Sequence, residues 1–165
     1  MLSARRHRLL RLLDNCEPAV SCIDANRRVM RHALLQRVAD RPVIATDRKL
    51  CDYLWFTMAH QPVETVRCLF LGPTHRLIRD ELLSTGTSTE ALIAPREVIH
   101  RALELGATGL ILAHNHPSGY PTPSEADVAI TTALARAATP LGITLHDHVI
   151  LGSHGYASFR NQGLI

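Results

Sequence analysis

Long apolar runs are absent from this 165-residue sequence, and none approaches the roughly 20 residues that a membrane-spanning helix requires. The chain starts with the basic segment MLSARRHRLLRLLDN, which lacks both an uninterrupted apolar stretch and a small-residue cleavage site. This start does not fit a secretory signal, although its richness in arginine leaves a transit peptide open. We expect a cytoplasmic protein that makes no membrane interaction.

Cysteine pairs with redox or zinc-finger spacing are also absent. The sequence has no C-x-x-C motif among its four cysteines, Cys16, Cys22, Cys51 and Cys68. Aromatic residues make up only 4% of the chain, which indicates a core of aliphatic side chains. With 46% hydrophobic and 20% charged residues, the composition is typical of a soluble globular protein whose thiols stay reduced.

The net charge of +3 is unevenly distributed along the chain. Residues 1–49 contain 11 Arg or Lys against 5 Asp or Glu, a balance of +6, whereas residues 50–165 contain 7 against 10, a balance of −3. An arginine-rich front end can contact nucleic-acid phosphates or an acidic partner. More often such charges form a solvated helix face, and we prefer this simpler interpretation.

The front end of the chain has a helical pattern. Apolar positions recur with helical spacing in residues 1–13 and again in about 27–39, and the segment DNCEPAVSC between them predicts a turn. Pro42 ends any helix that precedes it. We therefore predict a domain boundary near this proline, with residues 1–41 as a basic helical appendage and residues 42–165 as the main domain.

The main domain combines helices and strands. Local patterns predict, in order, a helix capped by Thr46 or Asp47 and ending near Ala59, strands at 66–71 and 76–84 joined by a Gly72-Pro73 turn, a helix from Pro95 to Gly106, a buried strand at 109–113, a helix from Ser124 to about Ala138, and strands at 143–151 and 156–159. This order predicts an α/β (α+β) fold in which a mixed sheet is flanked by helices.

Two histidines and an aspartate are spaced for a metal site. His114 and His116 lie two apart at the end of the aliphatic strand, where a period of two places both imidazoles on one face, about 6.8 Å apart at the backbone. Asp127 lies in the first turn of the next helix, beyond a loop with three prolines. Two imidazoles and a carboxylate leave a fourth position for water, as in catalytic zinc sites. We expect one Zn²⁺ per chain, although such ligands also accept iron, manganese or cobalt.

Part of this pattern has a simpler explanation. Ser124 and Asp127 form the sequence S-x-x-D before an apolar run, which is a helix-capping box and needs no metal. Taken alone, the pair indicates capping. The complete string H-x-H-x7-S-x2-D extends over a strand end, a loop and a helix start, and this greater specificity favours the metal site.

The complete string resembles the JAMM motif of JAB/MPN metalloproteases, and the surrounding sequence resembles the RadC-like branch of that family. The similar stretches are LFLGPTHRLI (69–78), APREVIHRAL (94–103), ILAHNHPSGYPTPSEADVAIT (111–131) and HDHVILG (146–152). They cover the chain from about residue 42 onward. The resemblance implies a mixed sheet of the cytidine-deaminase type and a zinc-dependent peptidase or isopeptidase.

The resemblance also implies a role for individual residues. His114, His116 and Asp127 match the zinc ligands of the family. Ser124 matches the hydroxyl that supports the tetrahedral intermediate. Glu64 matches the acid that accepts a proton from the activated water, a role that requires a carboxylate within hydrogen-bond reach of that water.

Three further residues match the family without a defined role. Arg96 either pairs with an acid or is an exposed residue at a helix start. Asp147 and His148 either contact the ligand histidines, whose second ring nitrogen usually donates to an acceptor, or form a structural pair.

Two features depart from the family pattern. The Gly72-Pro73 turn stands where the family usually has an aspartate, outside the metal string. Residues 1–41 contain no glycine, so the glycine-rich helix-hairpin-helix units of longer RadC-like proteins are absent from this segment. This second departure weakens the expectation of DNA binding.

We therefore expect a zinc-dependent hydrolase of peptide or isopeptide bonds that acts on a peptide or protein substrate. An accessory protein of DNA repair or recombination is the first alternative, and it would bind DNA through residues 1–49 in a salt-sensitive manner. A non-catalytic domain that uses zinc for stability is the second. The sequence predicts neither the substrate nor the oligomeric state.

Overall fold

The computed structural model describes residues 2–43, 48–86 and 93–165, with side chains from residue 6 onward. Within these residues the chain forms five α-helices, a short 3₁₀ turn after the fifth helix, and five strands. In chain order they are α1 (Leu2–Leu12), α2 (Glu17–Ala39), α3 (Arg48–Met58), β1 (Thr65–Leu71), β2 (Leu77–Thr85), α4 (Pro95–Glu104), β3 (Gly109–Asn115), α5 (Glu125–Ala138), β4 (Thr144–Gly152) and β5 (Gly155–Ser158).

The five strands form one mixed sheet in the order β2-β1-β3-β4-β5. β3 is parallel to β4, and every other neighbouring pair is antiparallel. All seven residues of the central strand β3 are buried, as its aliphatic sequence predicts. The predicted α+β fold with a mixed sheet flanked by helices is confirmed.

Helices cover both faces of the sheet, and the alternation of side chains along each strand divides the core in two. On one face α3 packs against residues such as Leu69, Ile111 and Val149. On the other face α4 and α5 cover Phe70, Leu112 and their neighbours. The core is largely aliphatic, as the low aromatic content predicts.

The predicted turn over DNCEPAVSC is wrong for most of its length, because α2 begins at Glu17 instead of near residue 27. Pro18 lies in the first turn of α2, where a missing backbone N–H costs nothing. The chain reverses instead just before this helix. Asp14 and Asn15 there adopt φ values of 48° and 59°, a conformation that these two residue types tolerate.

The C-terminal part of α2 packs against α3 through Leu34 and Leu35, and Val38 and Val43 lie in the same core cluster as Leu54. The domain boundary near residue 42 stays a prediction. The proposed caps Thr46 and Asp47 lie outside the described residues.

The cysteines and the possible membrane-spanning helices were both considered from the sequence. All four cysteines are free thiols, two of them exposed and two buried. In the described ranges, no helix combines the length and the apolar character needed to cross a bilayer.

A buried ion pair joins the β1–β2 hairpin to α3. The guanidinium of Arg67 donates two hydrogen bonds of 2.8 Å to the carboxylate of Asp80, whose side chain is only 6% exposed. The hydroxyl of Tyr53 on α3 donates to the same carboxylate. Burial and the negative charge of Asp80 raise the pKa of Tyr53, so its hydroxyl keeps the proton that it donates.

We expect Asp80→Asn to lower the free energy of unfolding by roughly 3 kcal/mol, because the guanidinium of Arg67 then stays buried without its charge partner. Urea unfolding followed by circular dichroism measures this loss. Arg79→Gln is the matched control: it removes an exposed charge from the same strand and should change stability by less than about 1 kcal/mol. Equal losses in the two variants would contradict the assigned role of the pair.

Candidate metal centre

The end of β3 and the start of α5 bring together three side chains that could hold a metal ion. His114 is the sixth residue of β3, His116 follows directly after the strand, and Asp127 is the third residue of α5. In the part of the chain that the structure describes, these three form the one cluster of metal-ligating side chains. The sequence placed all three residues on the correct elements.

The distances within the cluster suit a single small cation. The Nε2 atoms of His114 and His116 are 2.9 Å apart. His114 Nε2 lies 3.1 Å from Asp127 Oδ1, and His116 Nε2 lies 3.5 Å from Asp127 Oδ2. Tetrahedral ligands bound to zinc at 2.0–2.1 Å are about 3.3 Å from one another. The donor set therefore fits zinc in both chemistry and spacing.

The loop after β3 orients His116. Its Nδ1 lies 3.0 Å from the backbone carbonyl of Tyr120, and its backbone amide donates to Leu151. A carbonyl only accepts, so Nδ1 of His116 carries a proton, and in the neutral ring Nε2 keeps a lone pair that faces the cluster.

This loop also contacts the β4–β5 turn closely. The amide of His154 donates to the carbonyl of Gly119, and the ring of Tyr120 stacks on that of His154 with centroids 4.7 Å apart. A Cβ atom on Gly152 would lie 2.2 Å from the carbonyl oxygen of Gly119. Only glycine at position 152 permits this approach, so the position of the loop depends on it.

The other ligand histidine contacts a second buried histidine. Nδ1 of His114 lies 2.7 Å from Nε2 of His148, and Nδ1 of His148 lies 2.6 Å from the hydroxyl oxygen of Thr131. The sequence patterns did not identify Thr131. Its position one helical turn after Asp127 places it on the same face of α5, and this spacing could have indicated that it lies near the site.

Asp147 has a different environment from its neighbour. Its carboxylate accepts hydrogen bonds from the backbone amides of His148 and Arg160, and from the hydroxyl of Ser158. It therefore connects β4 to the end of β5. The sequence left two roles open for Asp147 and His148. His148 contacts the histidine His114, whereas Asp147 has the structural role.

Ser124 and Asp127 form the capping box that their spacing predicts. Ser124 is the N-cap of α5, and its backbone amide and hydroxyl donate to Asp127 Oδ2 at 2.8 and 2.6 Å. The amide of Asp127 donates back to the serine oxygen. Capping and metal binding are compatible, because the box uses Oδ2 and leaves Oδ1 facing His114.

Glu64 lies at the same end of the β1–β3 pair as the two histidines. These antiparallel strands pair Val66 with His114, so that Glu64, directly before β1, and His116, directly after β3, lie at the same end of the sheet. The side chain of Glu64 is half-buried. Its negative charge contributes to the raised pKa of His116.

Asn115, which sequence reasoning did not single out, fixes the segment before β1. Its Oδ1 accepts from the amide and the hydroxyl of Thr65 at 2.9 and 2.6 Å, and its Nδ2 donates to the carbonyl of Val63. These two contacts flank Glu64 in the chain. No sequence motif indicates this role, because the partners are 50 residues apart.

The electrostatics favour an ionised carboxylate at Asp127. Burial alone would raise the pKa of Asp127, but the contacts of its carboxylate with His114, His116 and Ser124 outweigh this effect and hold that pKa far below its usual range. The contact with the carboxylate of Asp127 raises the pKa of His116 against the opposing effect of burial. Burial lowers the pKa of His148 well below its usual value.

Comparison with known proteins assigns the sequence to a family. A family-wide sequence pattern described as "RadC-like JAB domain" matches residues 44–164. The chain belongs to the RadC-like JAB domain family. A "UPF0758 protein" of Rhodobacter capsulatus is 50% identical over 129 residues, which is 78% of this chain and 60% of that relative. The chain therefore spans less than two thirds of that relative's length.

The departures of this RadC-like domain lie outside the ligand cluster. Gly72 and His75 close the β1–β2 turn through backbone hydrogen bonds of 2.9 and 2.8 Å, and His75 adopts a φ of 58°. The turn follows the end of β1 that pairs with Gly109, whereas His114 and His116 lie at the opposite end of β3. Arg96 is exposed in the first turn of α4, outside the cluster of ligating side chains.

We expect Gly152→Ala to weaken zinc binding by about tenfold or more, because the displaced loop moves the carbonyl that orients His116. Competition titration against a zinc-chelating dye measures the affinity. Gly72→Ala is the matched control, since its Cβ would meet the Ile78 side chain at 3.6 Å and the Arg76 carbonyl oxygen at 3.9 Å, which are ordinary van der Waals contacts. Unchanged zinc affinity in Gly152→Ala would show that the loop does not orient the ligand.

Proposed function

We propose that this RadC-like domain is a zinc-dependent hydrolase of peptide or isopeptide bonds. The observation that carries the proposal is the convergence of His114 Nε2, His116 Nε2 and Asp127 Oδ1 beside a half-buried glutamate. When bound, zinc supplies Lewis acidity that lowers the pKa of a water toward about 7 and polarises a substrate carbonyl. Three protein ligands leave a position open for that chemistry.

In this proposal Glu64 is the general base and acid. Its carboxylate accepts a proton from the attacking water and later donates it to the nitrogen of the leaving amine, so that protons balance over the reaction. The position of Glu64 directly before β1, at the end of the sheet where His116 follows β3, supports this role. Asn115, by holding the backbone on both sides of Glu64, limits the movement of the segment that carries this carboxylate.

Ser124 has two roles in the proposal. Its hydroxyl donates to Asp127 Oδ2 and orients this carboxylate. To support a tetrahedral intermediate, the hydroxyl must turn its proton from the aspartate toward the developing oxyanion. The backbone amide of Ser124 continues to hold Asp127 Oδ2 when the hydroxyl turns.

We propose a peptide or protein substrate and a cytoplasmic location, as the sequence led us to expect. The nucleic-acid alternative gains no support from the described N-terminal helices. Arg6 forms ion pairs with Glu17 and Asp24 of α2, so part of the basic charge is neutralised within the helix pair. This pairing favours the simpler interpretation of the arginine-rich segment as a solvated helix surface.

Metal content tests the proposed centre. We expect about one zinc per chain in the wild type and in Glu64→Gln, and loss of zinc in His116→Ala, when each purified protein is measured by elemental analysis. His100→Ala is the matched control, because it removes an exposed histidine of α4. A wild-type chain that contains no zinc and takes none up would overturn the proposed hydrolase.

The catalytic role of Glu64 requires a separate measurement. We expect Glu64→Gln to lower the turnover of a fluorogenic peptide library by 10²-fold or more at unchanged zinc content, because the amide cannot accept the proton. Glu97→Gln on the exposed surface of α4 is the matched control and should retain full turnover. Equal turnover in Glu64→Gln and the wild type would exclude Glu64 as the base.

A further inference from the structure

A row of buried polar side chains lies behind the ligand cluster, between β3, β4 and α5. His114, His148 and Thr131 are 2%, 1% and 1% exposed. The row starts at a ligand side chain, His114, and ends at the backbone of another ligand, Asp127. Each contact along the row is within hydrogen-bond distance. The last group is a backbone carbonyl, which only accepts, and this determines the position of every other proton in the row.

The backbone carbonyl of Asp127 fixes the direction of the row. A carbonyl only accepts, so the hydroxyl of Thr131 donates its single proton to it. The oxygen of Thr131 must then accept from Nδ1 of His148, which lies 2.6 Å away. His148 therefore carries a proton on Nδ1.

The same reasoning continues to the ligand. A neutral imidazole with a proton on Nδ1 keeps a lone pair on Nε2. Nε2 of His148 lies 2.7 Å from Nδ1 of His114, so His114 donates its Nδ1 proton and keeps its own Nε2 lone pair. The Tyr120 carbonyl fixes the same tautomer in His116. Two lone pairs and a carboxylate thus face one another within 3.5 Å, an arrangement that a cation stabilises.

We infer that His148 and Thr131 are positioning residues, which hold the proton of His114 on Nδ1 and thereby keep Nε2 available as a metal ligand. The inference rests on the metal centre of the proposed function and adds the residues that prepare it. Because the row returns to Asp127, it also couples the orientation of His114 to the first turn of α5. Neither residue contacts substrate in this role.

A core-packing role is the alternative, since His148 also packs on the ring of Phe159 at 4.7 Å between centroids. The two roles differ in one observable. Packing alone does not depend on which nitrogen of His148 carries a proton, whereas the positioning role requires neutral His148 with the proton on Nδ1. Long-range ¹⁵N–¹H correlation spectra of the zinc-free protein distinguish the tautomers directly.

The variant that tests the inference is Thr131→Val, which removes the hydroxyl at nearly constant shape. We expect its zinc dissociation constant to rise 10- to 100-fold and the Nδ1–H tautomer of His148 to lose its dominance. Thr131→Ser should restore both. Thr132→Val is the matched control, because this neighbouring threonine of α5 is half-buried and lies outside the row.

The outcomes separate this inference from the proposed function. If the wild type binds zinc and Thr131→Val binds it equally well with unchanged spectra, the positioning role is wrong and the metal centre stands. If the wild type binds no zinc, the proposed function fails, while the wild-type spectrum still decides the tautomer. A wild-type His148 that is doubly protonated, or protonated on Nε2, overturns the inference whether or not Thr131→Val folds.

Discussion

The antiparallel pairing of β1 with β3 is the constraint on which the rest of the site depends. Its register brings Val66 opposite His114, and Glu64, directly before β1, therefore lies at the end of the sheet where His116 follows β3. Burial of β3 on both faces fixes this register, because a slip by one residue would turn His114 to the other face of the sheet and exchange the aliphatic side chains of the two core clusters. Asn115 strengthens the pairing where the β1–β3 ladder ends. Its side-chain amide accepts from the backbone of Thr65 and donates to the carbonyl of Val63, in place of backbone hydrogen bonds between the strands.

One segment supplies both the local structure and the chemistry of the site. The capping box of Ser124 and Asp127 ends the loop after β3 and starts α5, and the same aspartate presents its other carboxylate oxygen to His114. Capping had appeared to be a competing explanation of S-x-x-D. The two carboxylate oxygens remove the conflict, because each serves one function. A helix start is also a favourable location for an anionic ligand, since its free amides and dipole stabilise negative charge.

Sequence patterns were sufficient where local periodicity decides the structure. The buried strand, the start of α4 at Pro95 and the three ligand positions follow from spacing and from residues that start or end helices. The start of α2 could not be predicted in this way, because the polar segment around Pro18 fits both a turn and a helix start. The separate roles of Asp147 and His148 depend on which face of β4 meets α5. That information arises only when distant segments pack.

The central claim is that His114, His116 and Asp127 hold one metal ion through Nε2, Nε2 and a carboxylate oxygen. Anomalous diffraction at the zinc absorption edge, from crystals of the zinc-loaded protein, tests this claim most directly. The account predicts a single strong peak about 2.0–2.2 Å from these three atoms, with a fourth position open to solvent. A peak that contacts Nδ1 of either histidine, or zinc bound only at other residues, would contradict it.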